Sequence, residues 1–130
     1  MGALLGAVAL ATTGCGGSGP TADDLDDTSY LSQGVTGRDL VAGSTIRLTF
    51  EDGRLSVNAD CNTMGGPFEV DDGTLRWTSE VASTAMGCVG DLADQDEWLT
   101  DLFTDGVEAE LDGGTLTLIS GDVTIDLTAA

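Results

Sequence analysis

The chain predicts a mainly β (α+β) domain, a small antiparallel β-barrel of about eight strands with one helix packed on it. Three observations carry the prediction. Beyond Ser29 apolar and polar residues alternate with period two; Asp-Gly and Gly-Asp pairs interrupt that alternation at hairpin spacing; and a single segment changes to helical spacing. At 130 residues there is room for one core and not two.

The order of elements begins with an address. Gly2 to Ala11 is an unbroken run of small and apolar residues, the length of a signal-peptide h-region and short of the roughly 20 residues that span a bilayer. Ala11-Thr12-Thr13-Gly14-Cys15-Gly16 follows and looks like a bacterial lipobox, with Thr12 where leucine is usual. Residues 1–14 are therefore expected to be a lipoprotein signal peptide and Cys15 the lipidated residue. The bland alternative is an apolar tail with a chance cysteine. No Lys or Arg precedes the apolar run, so a basic n-region is expected upstream of Met1. Residues 15–28, with Asp23, Asp24, Asp26 and Asp27, read as a flexible acidic tether, leaving 29–128 for the folded domain.

An early strand is expected over Tyr30 to Val35. Ile46, Leu48 and Phe50 share a face, Asp52-Gly53 turns the chain, and Leu55, Val57 and Ala59 answer. The pattern recurs with Phe68 and Val70, Asp72-Gly73, then Leu75 and Trp77. It returns in Val107, Ala109 and Leu111, in Leu116 and Leu118, and in Val123, Ile125 and Leu127. Gly65-Gly66-Pro67 reads as a tight reversal. Between Asp91 and Asp105 the residues Leu92, Trp98, Leu99, Leu102 and Phe103 fall at helical spacing, with Asp91 placed to cap the start, Asp94 and Asp96 at the positive end of the dipole, and Gly106 to end it. Eight alternating strands can close on themselves, which removes exposed edges.

Composition excludes more than it assigns. The net charge is −19, from 23 acidic residues against four arginines (Arg38, Arg47, Arg54, Arg76), so a phosphate-backbone partner is not expected. Without histidine there is no Ser-His-Asp or Cys-His pair and no imidazole metal site. Neither is there EF-hand spacing among the aspartates. No metal, no cofactor and no catalytic residue is expected. Three cysteines are odd for an exported domain; with Cys15 given to lipid, Cys61 and Cys88 are expected to pair, the rivals being free thiols or metal ligands.

At these cysteines the chain resembles the META domain family, the group that includes heat-inducible envelope proteins of the HslJ type. Cys61-Asn62 followed by Gly66 and Phe68 resembles the family's Cys-Asn, glycine and aromatic; Thr84, Met86 and Cys88 resemble its Thr-x-Met-x-Cys; and Glu97, Trp98, Leu102 and Phe103 are similar to its acidic-aromatic helix. Asp60 stands where a glycine is usual, and Tyr30 where a tryptophan is common. The resemblance covers about Ser29 to Thr128 and implies a barrel-like domain, often attached to bacterial envelopes, without established catalytic residues.

Two functional expectations follow. One is a non-enzymatic envelope lipoprotein, held to the membrane by its N-terminal lipid on the extracytoplasmic face and offering a surface to other envelope proteins in interaction, maintenance or stress. The other is a barrel binding a small apolar ligand. Large inward residues such as Phe50, Trp77 and Leu118 favour a packed interior and so the first. Asn62, Thr84 and Met86 are expected either to serve the turn and sheet structurally or to line a surface or shallow pocket beside the disulfide.

Overall fold

The computed structural model describes residues 19–130. Nine strands follow one another: β1 (Thr28–Thr36), β2 (Arg47–Glu51), β3 (Arg54–Asn58), β4 (Thr63–Asp71), β5 (Thr74–Trp77), β6 (Ala82–Ser83), β7 (Val107–Asp112), β8 (Thr115–Ser120) and β9 (Val123–Ala129). Helix α1 (Ala22–Leu25) precedes β1, and α2 (Asp91–Asp105) lies between β6 and β7. Eight strands close into a barrel in the order β3-β2-β1-β9-β8-β7-β5-β4, with β4 pairing back to β3. The ninth, β6, hooks onto the outside of the ring through Met64 and Gly65 of β4. Every pairing is antiparallel.

Local chemistry accounts for the turns. Asp52-Gly53 and Asp72-Gly73 link their hairpins with all four residues at positive φ, the two-residue turn whose twist matches that of the flanking strands. The alternating residues then point inward as expected: Leu48, Phe50, Leu55, Val57, Leu75, Leu116 and Leu127 are wholly enclosed. Tyr30, Phe50 and Phe68 meet edge to face, with centroids 5.9 and 5.1 Å apart. Trp77 anchors the far side, its indole N–H donating to the Leu55 carbonyl at 3.0 Å and its ring lying 5.6 Å from that of Phe103.

The two helices close opposite ends. Asp26, just past α1, accepts from the Gly53 N–H in the β2–β3 turn, whereas α2 bonds to the β3–β4 connection at the other end of β3. Leu99, Leu102 and Phe103 supply the buried stripe of α2; Leu92 and Trp98 are only half-buried, with the Arg38 guanidinium 4.4 Å above the Trp98 ring. Gly90, not Asp91, occupies the N-cap position, and no side chain caps there.

Two further expectations fail, each for a physical reason. Within the expected tether, residues 20–27 belong to the fold: Thr21 and Asp24 form a reciprocal capping box, and the single helical turn drives Leu25 fully into the core. Aspartates surround that one apolar residue, so the segment resembles a solvated run. Gly65-Gly66-Pro67 is no reversal but the middle of β4. A Cβ on Gly66 would stand 3.2 Å from the Glu80 carbonyl oxygen and 3.6 Å from the Trp77 ring, so glycine admits the chain entering β6.

Leu25→Ala is expected to destabilise the domain by about 2–5 kcal/mol in urea unfolding; a tether residue would cost nothing. Tyr30, the lone tyrosine, has its pKa raised above the ordinary 10.0, first by burial and also by the Asp24 charge, with a Thr28 hydrogen bond opposing. The unfolded phenol therefore loses its proton first, and stability present below pH 10.0 declines as pH rises toward the folded-state value. An absorbance titration of Tyr30 should have its midpoint above 10.0; one at or below it would contradict the burial.

Candidate functional site

The residues singled out by sequence meet at the barrel end under α2. Its centre is the connection from β3 to β4, where Asp60 takes a φ of 73°, bonds its own N–H to Asn58 Oδ1 at 3.0 Å and accepts from the Thr45 N–H at 2.7 Å. Asp is among the residues that tolerate this left-handed conformation, which explains how it replaces a glycine. The sharp corner presents Cys61 and Asn62 to the segment arriving from β6.

Cys61 and Cys88 form a disulfide, with Cα atoms 6.0 Å apart. Beside it Asn62 uses its whole amide: Oδ1 accepts from the Met86 N–H at 2.7 Å and the Thr84 hydroxyl at 2.9 Å, and Nδ2 donates to Cys88 Sγ at 3.1 Å. Thr84 Oγ1 in turn accepts from the Thr63 N–H at 3.0 Å. Asn62, Thr84 and Met86 are thus brought together, but Met86 contributes its backbone; its side chain is 60% exposed. Asn62 acts as a clamp that ties an otherwise irregular segment to the corner.

Two further residues come from α2. Gln95 and Asp96 are the buried polar side chains among the described residues. Gln95 accepts from the Val41 N–H at 2.8 Å and donates to the Ala59 carbonyl. Asp96 Oδ2 accepts from the Asn62 N–H at 3.1 Å and lies 3.4 Å from Cys88 Sγ, while Oδ1 has no hydrogen-bond partner. The signal for Asp96 was present in the sequence: Leu92, Asp96, Leu99 and Phe103 follow helical spacing, placing the carboxylate on the stripe that packs inward.

The two sulfurs and the Asp96 carboxylate lie within 4.8 Å of one another. Bonded to each other, the sulfurs have no thiolate charge to offer a cation, so the oxidised cluster is a covalent brace with an acid at its back. Among the described residues, open clefts of about 240, 260 and 180 Å³ lie elsewhere. None is lined by Cys61, Asn62, Thr84, Met86 or Cys88. Cys15, expected to carry lipid, lies outside the described residues. Among the described residues no helix is long and apolar enough to cross a membrane.

A family model described as the META domain matches residues 23–130. No curated protein sequence matches. Among solved structures, the chain is similar to an NMR structure of a protein from Burkholderia xenovorans: 20% identity, 84% of this chain and 86% of that one covered, TM-score 0.66. A second NMR structure is likewise 20% identical, over 84% of this chain and 94% of that one, with a TM-score of 0.65. At this identity the likeness shows the fold.

Asn62→Ala should free the segment around Met86. Limited proteolysis is expected to cut between Thr84 and Gly90 at least about tenfold faster than in the wild type, with stability lower by about 1–3 kcal/mol; unchanged cleavage would remove the clamp.

Proposed function

This chain belongs to the META domain family, which has no known catalytic activity, and from that membership we propose a non-enzymatic envelope lipoprotein. The lipid on Cys15 holds it to the membrane on the extracytoplasmic face, and the closed barrel offers its outer surface to other envelope proteins in an interaction or maintenance role. The observation that carries this reading is the filled interior. Phe50, Leu48, Leu55, Leu75, Leu118 and Phe103 are large, buried and turned into the barrel, which favours a packed interior over a cavity and leaves recognition to the outside. The same observation weighs against the apolar-ligand barrel, whose pocket would have to displace these side chains.

Charge supports the surface reading. All four arginines and nearly all the acidic groups sit at least partly in water, giving a negative surface that disfavours nucleic acid. The Cys61–Cys88 bond suits an oxidising compartment. Anchoring depends on one atom. Cys15→Ala is expected to move the protein from the membrane fraction to the soluble fraction on cell fractionation and to abolish incorporation of a labelled fatty acid; persistence in membranes would overturn the anchor.

A further inference from the structure

We propose that Cys61–Cys88 is an exchangeable redox site, in which Cys61 is the sulfur attacked by an incoming dithiol and Cys88 is the leaving sulfur, stabilised as a thiolate by Asn62 and, once protonated, bonded to Asp96. The proposal rests on the disulfide cluster and is independent of the lipid anchor. Both cysteines are half-exposed, and Cys88 sits in an irregular segment flanked by Met86 and Val89, the exposed large apolar side chains of the described residues, at 60% and 75%. The bond thus lies at the surface of the fold, outside the closed interior of the barrel.

The environment of the two sulfurs is unequal. Cys88 Sγ accepts from Asn62 Nδ2 at 3.1 Å and faces Asp96 Oδ2 at 3.4 Å, whereas among the described residues no side-chain donor bonds Cys61 Sγ. In the disulfide, Cys88 has no proton to share, so Asp96 is held by a single backbone N–H, with Oδ1 unpartnered and the residue only 7% exposed. Such a buried carboxylate is under-satisfied. Reduction supplies this carboxylate with a second donor, the Cys88 S–H facing Oδ2.

The step balances as ordinary exchange. A thiolate of the dithiol attacks Cys61 Sγ, the Cys61–Cys88 bond breaks, and its electron pair goes to Cys88 Sγ, where the Asn62 amide stabilises the charge. The proton shed by the attacking thiol ends on Cys88, whose S–H then donates to Asp96 Oδ2. The dithiol's second thiolate resolves the mixed disulfide, and Cys61 leaves with the second proton. Two electrons pass from the dithiol, which becomes a disulfide. Asp96 and Asn62 are positioning residues in this exchange.

The test uses the full chain carrying Cys15→Ser, so that no third thiol competes. Folded protein is exposed to glutathione, quenched in acid, alkylated and mapped by mass spectrometry. Glutathione is expected on Cys61 and alkyl on Cys88, in about tenfold excess over the reverse; the reverse assignment, an even mixture, or no adduct while the protein stays folded would overturn the proposal. In a dithiothreitol titration followed by circular dichroism, the β-sheet signal should persist through reduction. Asp96→Asn should shift the equilibrium about tenfold toward the disulfide, which is about 30 mV for a two-electron couple, and Asp96→Glu should restore part of it. Reduction only on unfolding, or an unmoved midpoint in a folded Asp96→Asn protein, would leave the bond a brace alone.

Discussion

The ring of strands has one weak seam, and the architecture depends on how it is held. Consecutive strands pair through short connections from β2 to β5 and from β7 to β9, and β1 reaches β2 through the longer connection 37–46, but β5 and β7 meet only at Thr74 with Glu108 and Leu75 with Val107. Between them the chain leaves the barrel for β6, the Cys88 segment and α2. A long excursion costs loop entropy before its ends can pair, so it must be tied down elsewhere. The corner at Asp60 to Asn62 does this covalently through Cys61–Cys88, and with hydrogen bonds through Asn62, Gln95 and Asp96. In the chain-entropy account, such a crosslink contributes roughly 3–4 kcal/mol, a large share of the stability of a domain this size.

The same excursion gives the barrel its lid. Phe103 packs against Trp77 at the end of β5, so the helix that must be restrained also completes the core. At the opposite end, a single turn of helix does the equivalent with Leu25. Small barrels are open at both mouths, and apolar side chains there are lost to water unless something covers them. Two short plugs, one local and one tied by sulfur, allow so few residues to enclose an apolar interior. The acidic groups stay outside, where solvent screens them. Asp96 is the exception, and the cluster is where the fold meets chemistry.

Most of the barrel was legible because its determinants are local. The period-two faces around Asp52-Gly53 and Asp72-Gly73 specify hairpins whatever the rest of the chain does, and the stripe from Leu92 to Phe103 specifies a helix in the same way. The Cys61–Cys88 pair followed from cysteine arithmetic. What could not be read were features set by distant neighbours. Leu25 looks like part of a charged run until the open barrel end gives it a place. Gly65-Gly66 looks like a turn until Trp77 and the chain entering β6 close on Gly66, where a side chain would stand. Asp96 was grouped with the exposed acids of the helix start, although its spacing puts it on the buried stripe, because nothing local says that a backbone N–H from Asn62 awaits it. Of the site, Asn62, Thr84, Cys61 and Cys88 were visible as motif residues, while the role of Met86 through its backbone was not.

Native-state hydrogen exchange on the wild type and on a Cys61→Ser, Cys88→Ser protein tests the central claim most directly. If the sulfur-tied corner holds the excursion, removing the bond makes α2 and the β5–β7 seam at Leu75 and Val107 open at lower free energy than the β8–β9 and β9–β1 ladders, which keep their relative protection. Equal loss of protection in all strands, or no preferential opening of α2, would mean that the barrel closes without the brace.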